Sequence, residues 1–302
     1  MLCRRANTLA RPFRILCAVD ASPPAAAAFE QALALSAHRD AQLVVVHAVS
    51  KDQPSSWGAV ERVAALATLR ERAETLNVPV RVRVQQGDTA GVILLHAMAQ
   101  APDLIVLGSH EPVGLARFRF QSIADRVVTG ASCPVLLVPA AMKGVTPVFR
   151  SIVCAIDLSS RSSTMMASLA PAASDAGRLA FLYVLRGRRP FRRAVVPASS
   201  AKALDASQQL HSLVDAQYSG SDVLVSVSSN SVHEEILRVA RERDADLIVL
   251  GATRHSGLRR WFLGSTALRV SRRSVLPVLV LPAIHVKRES STLEEAVLGW
   301  AA

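Results

Sequence analysis

The stretch GATRHSGLRRWFLGSTALRV, residues 251 to 270, holds the residue types in this chain best suited to chemistry. It leaves the apolar run DADLIVL at Gly251, passes Arg254, His255, Arg259 and Arg260, and reaches Gly264, Ser265 and Thr266 at the head of a helix-compatible segment. Glycine admits close backbone approach, and a helix that opens on a hydroxyl residue presents N–H groups and the positive end of its dipole. Those residues at that spacing suit a phosphate or another anion. A solvated basic loop is the other reading they allow.

Elsewhere the chain offers less to a catalyst. His110 and His255 stand two and four residues after Gly108 and Gly251, but no Ser or Cys nucleophile with a partnering base is near them, so both read as exposed loop histidines. The Walker A sequence, the Gly-x-Ser-x-Gly elbow and the His-Glu-x-x-His zinc motif do not occur. Cys3, Cys17, Cys133 and Cys154 lack Cys-x-x-Cys spacing, which argues against disulfide and zinc frameworks. Cys17 and Cys154 fall inside apolar runs and read as small buried hydrophobes. The expectation is a protein that is not an enzyme.

A net charge of +11 favours anionic partners. Residues 1–144 hold 15 Lys and Arg against 11 Asp and Glu, and residues 145–302 hold 20 against 13, so the second half is the more basic. RGRRPFRR, residues 186 to 193, concentrates five arginines that either add to an anion field or are simply solvated. Basic residues without interleaved aromatics weaken a nucleic-acid reading. No signal-type apolar segment and no membrane-length apolar run occur, so a soluble cytoplasmic protein without membrane contact is expected.

The elements that must position these residues come in two copies. FRILCAVDAS (13–22) matches RSIVCAIDLS (150–159), PDLIVLG (102–108) matches ADLIVLG (245–251), and CPVLLVP (133–139) matches LPVLVLP (276–282), the last two pairs 143 positions apart. The linker falls near 140–146, where Lys143, Gly144 and the following Pro147 break the apolar pattern. Within the first copy, strands are expected near 15–19, 43–49, 80–85, 104–107 and 135–138, with helices between them, as over 25–37 and 91–99. Strands apolar on both faces and separated by helices imply a parallel sheet covered on both sides, which binds ligands beyond the carboxyl ends of its strands. Asp20 and Asp157, and Gly108 and Gly251, lie at those ends.

That ordered set, found twice, resembles the universal stress protein family in its tandem two-domain form. The resemblance rests on the Asp-x-Ser turns at Asp20 and Asp157, on VVHAV and FLYVL, on DLIVLG and on PVLLVP. It implies a Rossmann-like α/β fold: two tandem five-stranded parallel-sheet domains with helices on both faces, over 10–142 and 146–286. Residues 287–302 would form a helical tail, with Ser291 and Glu294 as a capping box and Leu293, Val297 and Trp300 on one face. It implies an intramolecular pseudo-dimer joined through the last strands, and a homodimer as a further option.

The family's ATP-binding members carry Gly, two residues, Gly, nine residues, Gly and Ser/Thr after the fourth strand. The second copy keeps Gly251, Gly264 and Ser265 and places Arg254 at the second glycine. The first copy has Gly108, Glu111 and Gln121-Ser122, losing two glycines and setting a carboxylate where phosphate would approach. By the same resemblance Asp157 would bind the adenosine part and Val184 would line the adenine pocket. Their alternative roles are a turn acceptor and plain core. Arg254 either blocks the phosphate path or holds a phosphate through its guanidinium. The expected function is a stress-response protein with ATP, and Mg accompanying it, in the second domain only. Two other classes stay open: a ligand-free module for an unknown protein partner, and a weak nonspecific nucleic-acid binder.

Overall fold

The structure, a computed structural model, describes residues 11–49, 59–109, 122–142, 144–159, 162–173, 176–186, 200–228, 230–252 and 264–282. His110, Glu111, Gln121, residues 187–193, Arg254, His255, Arg259, Arg260 and the tail 287–302 lie outside the described residues.

The first repeat runs β1 (Arg14–Ala18), α1 (Pro23–Arg39), β2 (Gln42–Val49), α2 (Ala59–Glu74), β3 (Val80–Gln86), α3 (Thr89–Gln100), β4 (Leu104–Ser109), α4 (Ile123–Gly130) and β5 (Val135–Pro139). The second runs β6 (Ser151–Ile156), α5 (Ser162–Ala173), β7 (Arg178–Arg186), α6 (Ala201–Asp215), β8 (Asp222–Ser228), α7 (Val232–Glu242), β9 (Leu247–Gly251), α8 (Ser265–Arg273) and β10 (Val278–Leu281).

Local chemistry sets the element ends. At α1 the Ser22 hydroxyl accepts the Ala25 N–H at 3.3 Å, and Pro23 and Pro24 occupy first-turn positions where no helical N–H bond is needed. The aspartates of the two DLIVLG runs clip the starts of neighbouring strands. Asp103 accepts the Arg14 N–H at 2.9 Å, and Asp246 accepts the N–H groups of Arg150 and Ser151 at 2.7 and 3.0 Å.

Along β1 the side chains alternate: Ile15 and Cys17 enter one buried layer and Leu16 enters the other. The first layer is closed by α1, α2, α5 and α6, through residues such as Phe29, Leu66, Met166 and Leu210. The second is closed by α3, α4, α7 and α8, through Ile93, Val127, Ile236 and Val270. Each fully buried Leu, Ile or Phe contributes about 1.5 to 3 kcal/mol of transfer free energy, so two continuous layers hold the sheet from both sides. Cys17 and Cys154 are fully buried among these aliphatics, and burial pushes both thiols far above their ordinary range.

All ten strands form one sheet in the order β3-β2-β1-β4-β5-β10-β9-β6-β7-β8. Pairing is parallel within each repeat and antiparallel at the seam, where Val278, Leu279 and Val280 face Leu137, Leu136 and Val135. The seam therefore falls on PVLLVP and PVLVLP, and it turns the carboxyl ends of the two five-stranded halves in opposite directions. The linker is tied down by Gln31, fully buried, which donates to the Thr146 carbonyl at 2.6 Å and accepts the Thr146 N–H at 3.3 Å. Strand order reverses between β1 and β4 and between β6 and β9, and a crevice opens at the first of these reversals.

Candidate functional site

The Asp-x-Ser turns fold alike in both halves. Asp20 Oδ1 accepts the Ser22 N–H at 2.8 Å, and Asp157 Oδ1 accepts the Ser159 N–H at 2.9 Å and the Ser162 hydroxyl at 3.2 Å. Both aspartates are exposed just beyond the carboxyl ends of β1 and β6, and each holds the turn that leads into the next helix. The turn-acceptor role of Asp157 is thus present in the structure.

Gly108 and Gly251 end β4 and β9, and the structure gives them a packing task. A Cβ at Gly108 would come within 2.5 to 2.7 Å of the backbone of Pro24 and Ala25, so α1 crosses the strand end at a distance only glycine allows. At Gly251 the atom met is Met165 Sδ, at 2.7 Å. Val184 is 8 % exposed and belongs to the layer covered by α7 and α8, which places it in the core.

The two helices after the fourth strands differ at their first turns. In α4 the Ser122 hydroxyl accepts the Asp125 N–H at 3.1 Å and the Asp125 carboxylate accepts the Ser122 N–H at 3.0 Å, a closed capping box. In α8 Gly264 is the N-cap, among the described residues no side chain caps the helix, and its first turn holds no acidic residue. Ser265 is exposed and Gly264 and Thr266 are half-buried, so Gly264, Ser265 and Thr266 do come together at the head of α8, beyond β9 and Gly251. An uncapped first turn leaves helix N–H groups for an external acceptor, and the dipole there favours negative charge.

In the first half the crevice is a cavity of about 410 Å³, within the usual size range of small-molecule sites. Its floor is aliphatic, with Val46, Ala48, Ile93 and Leu107, and its rim carries Asp20, Ser109, Ser122 and Asp125. His47 is buried with Nδ1 2.9 Å from the Val19 carbonyl. One wall is supplied from the other half: Ser271 and Arg272 of α8 line the cavity, and Arg272 donates to the Asp125 carboxylate at 2.6 Å. Sequence reasoning missed this pair. Its only trace is that the 143-residue repeat puts Leu268 opposite Asp125 and Thr129 opposite Arg272, so both partners are peculiar to this crevice.

A sequence model of the universal stress protein family matches residues 13–139 and again residues 149–282. The chain belongs to the universal stress protein family. A universal stress protein of Mycobacterium tuberculosis is 27% identical over 221 residues, which cover 71% of this chain and 75% of that one. Universal stress protein A homolog 2 of Coxiella burnetii is 36% identical over 122 residues, covering 36% of this chain and 82% of its own. A solved universal stress protein from Archaeoglobus fulgidus aligns over 89% of this chain and 98% of its own with a TM-score of 0.66 at 18% identity, a likeness of fold. As in that family, the fold is α/β with a mostly parallel sheet in two domains. Among the described residues no helix is long and apolar enough to cross a membrane, and no group of three or more His, Cys, Asp or Glu is placed to hold a metal.

Proposed function

We propose that this universal stress protein is a cytoplasmic, non-enzymatic stress-response factor that binds an adenine nucleotide in its second domain. The observation that carries the reading is the first turn of α8: uncapped, free of acids, and headed by Gly264 and Ser265 at the motif spacing from Gly251. Gly264, Ser265 and Thr266 would hold phosphate oxygens with backbone and hydroxyl donors, and Asp157, just beyond β6, the strand paired with β9, would meet the ribose or base. Any Mg would arrive with the triphosphate. Arg254 would add a charge-assisted contact in place of the motif glycine's close approach.

Calorimetric titration of the full chain with ATP tests this. One site per chain is expected, lost when Gly264 is replaced by Val, and weakened by about 1.5 to 3 kcal/mol in Arg254→Ala, the scale of a hydrogen bond to a charged group. A parent protein that binds no ATP while Arg254→Gly binds it would mean that Arg254 plugs the path, and the ligand-free module would replace this reading.

A further inference from the structure

The ten-stranded sheet ends on β3 in the first domain and on β8 in the second, and among the described residues no strand lies beyond either. Alternate residues of an edge strand aim their N–H and C=O groups away from the sheet, where a further strand can take them. The two edges handle that exposure differently. β3 reads VRVRVQQ, and its Arg81 and Arg83 are exposed. β8 reads DVLVSVS, and its one charge is at the first residue, Asp222, which Arg243 pairs at 2.6 Å. The neighbouring strands put the two edges in register. Arg83 pairs with Val46 and Val46 with Ala18, while Leu224 pairs with Leu182 and Leu182 with Ala155. Ala18 and Ala155 are matching residues of the repeat, so Leu224 stands where the first domain has Arg83. From Val223 to Val227 every residue is half-buried; Val223 and Val225 pack on the first layer and Leu224 on the second. A charge in mid-strand opposes pairing, because a new strand would desolvate it or face it with a like charge. β3 has that guard and β8 lacks it.

We propose that β8 is a homodimerisation surface: the β8 strand of a second copy pairs with it antiparallel and continues the sheet across a two-fold axis at Val225. Val225 is the middle residue of the strand, and the sequence is self-complementary about it. Val225 meets Val225, Leu224 meets Ser226, Val223 meets Val227 and Asp222 meets Ser228, so no two like charges face each other. The middle residue of β3 is Arg83, and the same pairing there would set one guanidinium against another. Pairing β8 with β8 closes at two copies, whereas β8 on β3 would leave free edges and grow filaments. A seven-residue strand makes a small interface, so the dimer exchanges with monomer as concentration changes. This surface is independent of what the second domain binds.

Sedimentation velocity of the full chain over a concentration series tests the proposal. The parent protein should show a monomer–dimer equilibrium, with amide exchange in β8 slowing as concentration rises. Val225→Lys sets two ammonium groups face to face on the axis and should weaken dimerisation about tenfold or more. Mixing Val225→Lys with Val225→Glu should restore a mixed dimer, which misfolded variants would not form. If either variant fails to fold, Val227→Lys, at a residue in neither core cluster, places a charge on the same edge and should weaken the dimer in the same direction. A parent chain that stays monomeric throughout the series would overturn the proposal. So would a dimer that survives both lysine substitutions, or assemblies that keep growing past two copies.

Discussion

The first turns of α4 and α8 occupy the same place in the two repeats, yet α4 is closed by its own side chains while among the described residues none caps α8. Asp125 and Leu268 are the matching residues. That difference, together with the change of N-cap from Ser122 to Gly264, bears on which helix dipole can meet an external anion, because a carboxylate in the first turn satisfies the donors and the field that a phosphate would otherwise use. Duplication thus preserved strand order and both turn aspartates while the charges in the first turns of α4 and α8 diverged. The antiparallel seam adds a second asymmetry. It carries the carboxyl end of α8 to the first-domain crevice, where Arg272 meets Asp125. The matching Thr129 bonds back to the Asp125 carbonyl at 2.9 Å.

The largest effect that could break this comparison lies at the paired glycines. Gly108→Ala would drive a Cβ into backbone and should destabilise the protein by about 3 kcal/mol, whereas Gly251→Ala displaces only the flexible end of Met165 and should cost about 1 kcal/mol. Urea denaturation of both variants measures the difference, and equal losses would mean that α1 and α5 approach their strands alike.

Next is the pair across the seam. Arg272→Ala leaves the nearly buried Asp125 without its cation, and because Arg272 is 30% exposed the cost should be about 2 kcal/mol rather than the larger value of a fully buried pair. The second domain's Arg243 and Asp222, at 41% and 61% exposed, provide the contrast, and breaking them should cost no more than about 0.5 kcal/mol. Double-mutant cycles for the two pairs compare them directly.

The smallest effect concerns protons. His233 on α7 is buried, and its Nε2 accepts from Arg273 at 2.9 Å. Desolvation first, then the nearby Arg273 and Arg269, hold its pKa below the ordinary value, with Glu234 opposing them. His96 on α3 is lowered too, by desolvation and Arg83. A lowered folded value means that the unfolded chain takes up the proton first as pH falls. The stability due to the neutral imidazole is therefore complete above about pH 6.5 and is lost as pH drops from there through the folded value. Denaturation midpoints measured down this range should fall, and His233→Gln, which keeps an acceptor for Arg273, should flatten part of the slope. A slope unchanged in both His233→Gln and His96→Gln would assign it to other groups.

Much of this architecture was legible in the chain. Runs such as RILCA and LIVLG are apolar at every position that a two-sided sheet must bury, and their recurrence exposed the duplication and the end of the sheet where ligands bind. Gly251, Gly264 and Ser265 were legible as a spaced anion motif. The spacing did not show the packing task that Gly108 and Gly251 also perform, because the close approach of a helix from 80 or more positions away leaves no local mark. Val184 likewise took its place in the core from the helices packed over it.

The sequence by itself determined the repeat, the alternation of strand and helix, and the turns at Asp20 and Asp157, because each depends on side chains a few residues apart. The tertiary structure alone decided that Asp125 and Arg272, separated by 147 positions, share a hydrogen bond across the seam. Aspartate and arginine are common surface residues, and nothing near either one names its partner. They meet because β5 and β10 pair antiparallel and aim the end of one domain's helix at the other domain's crevice.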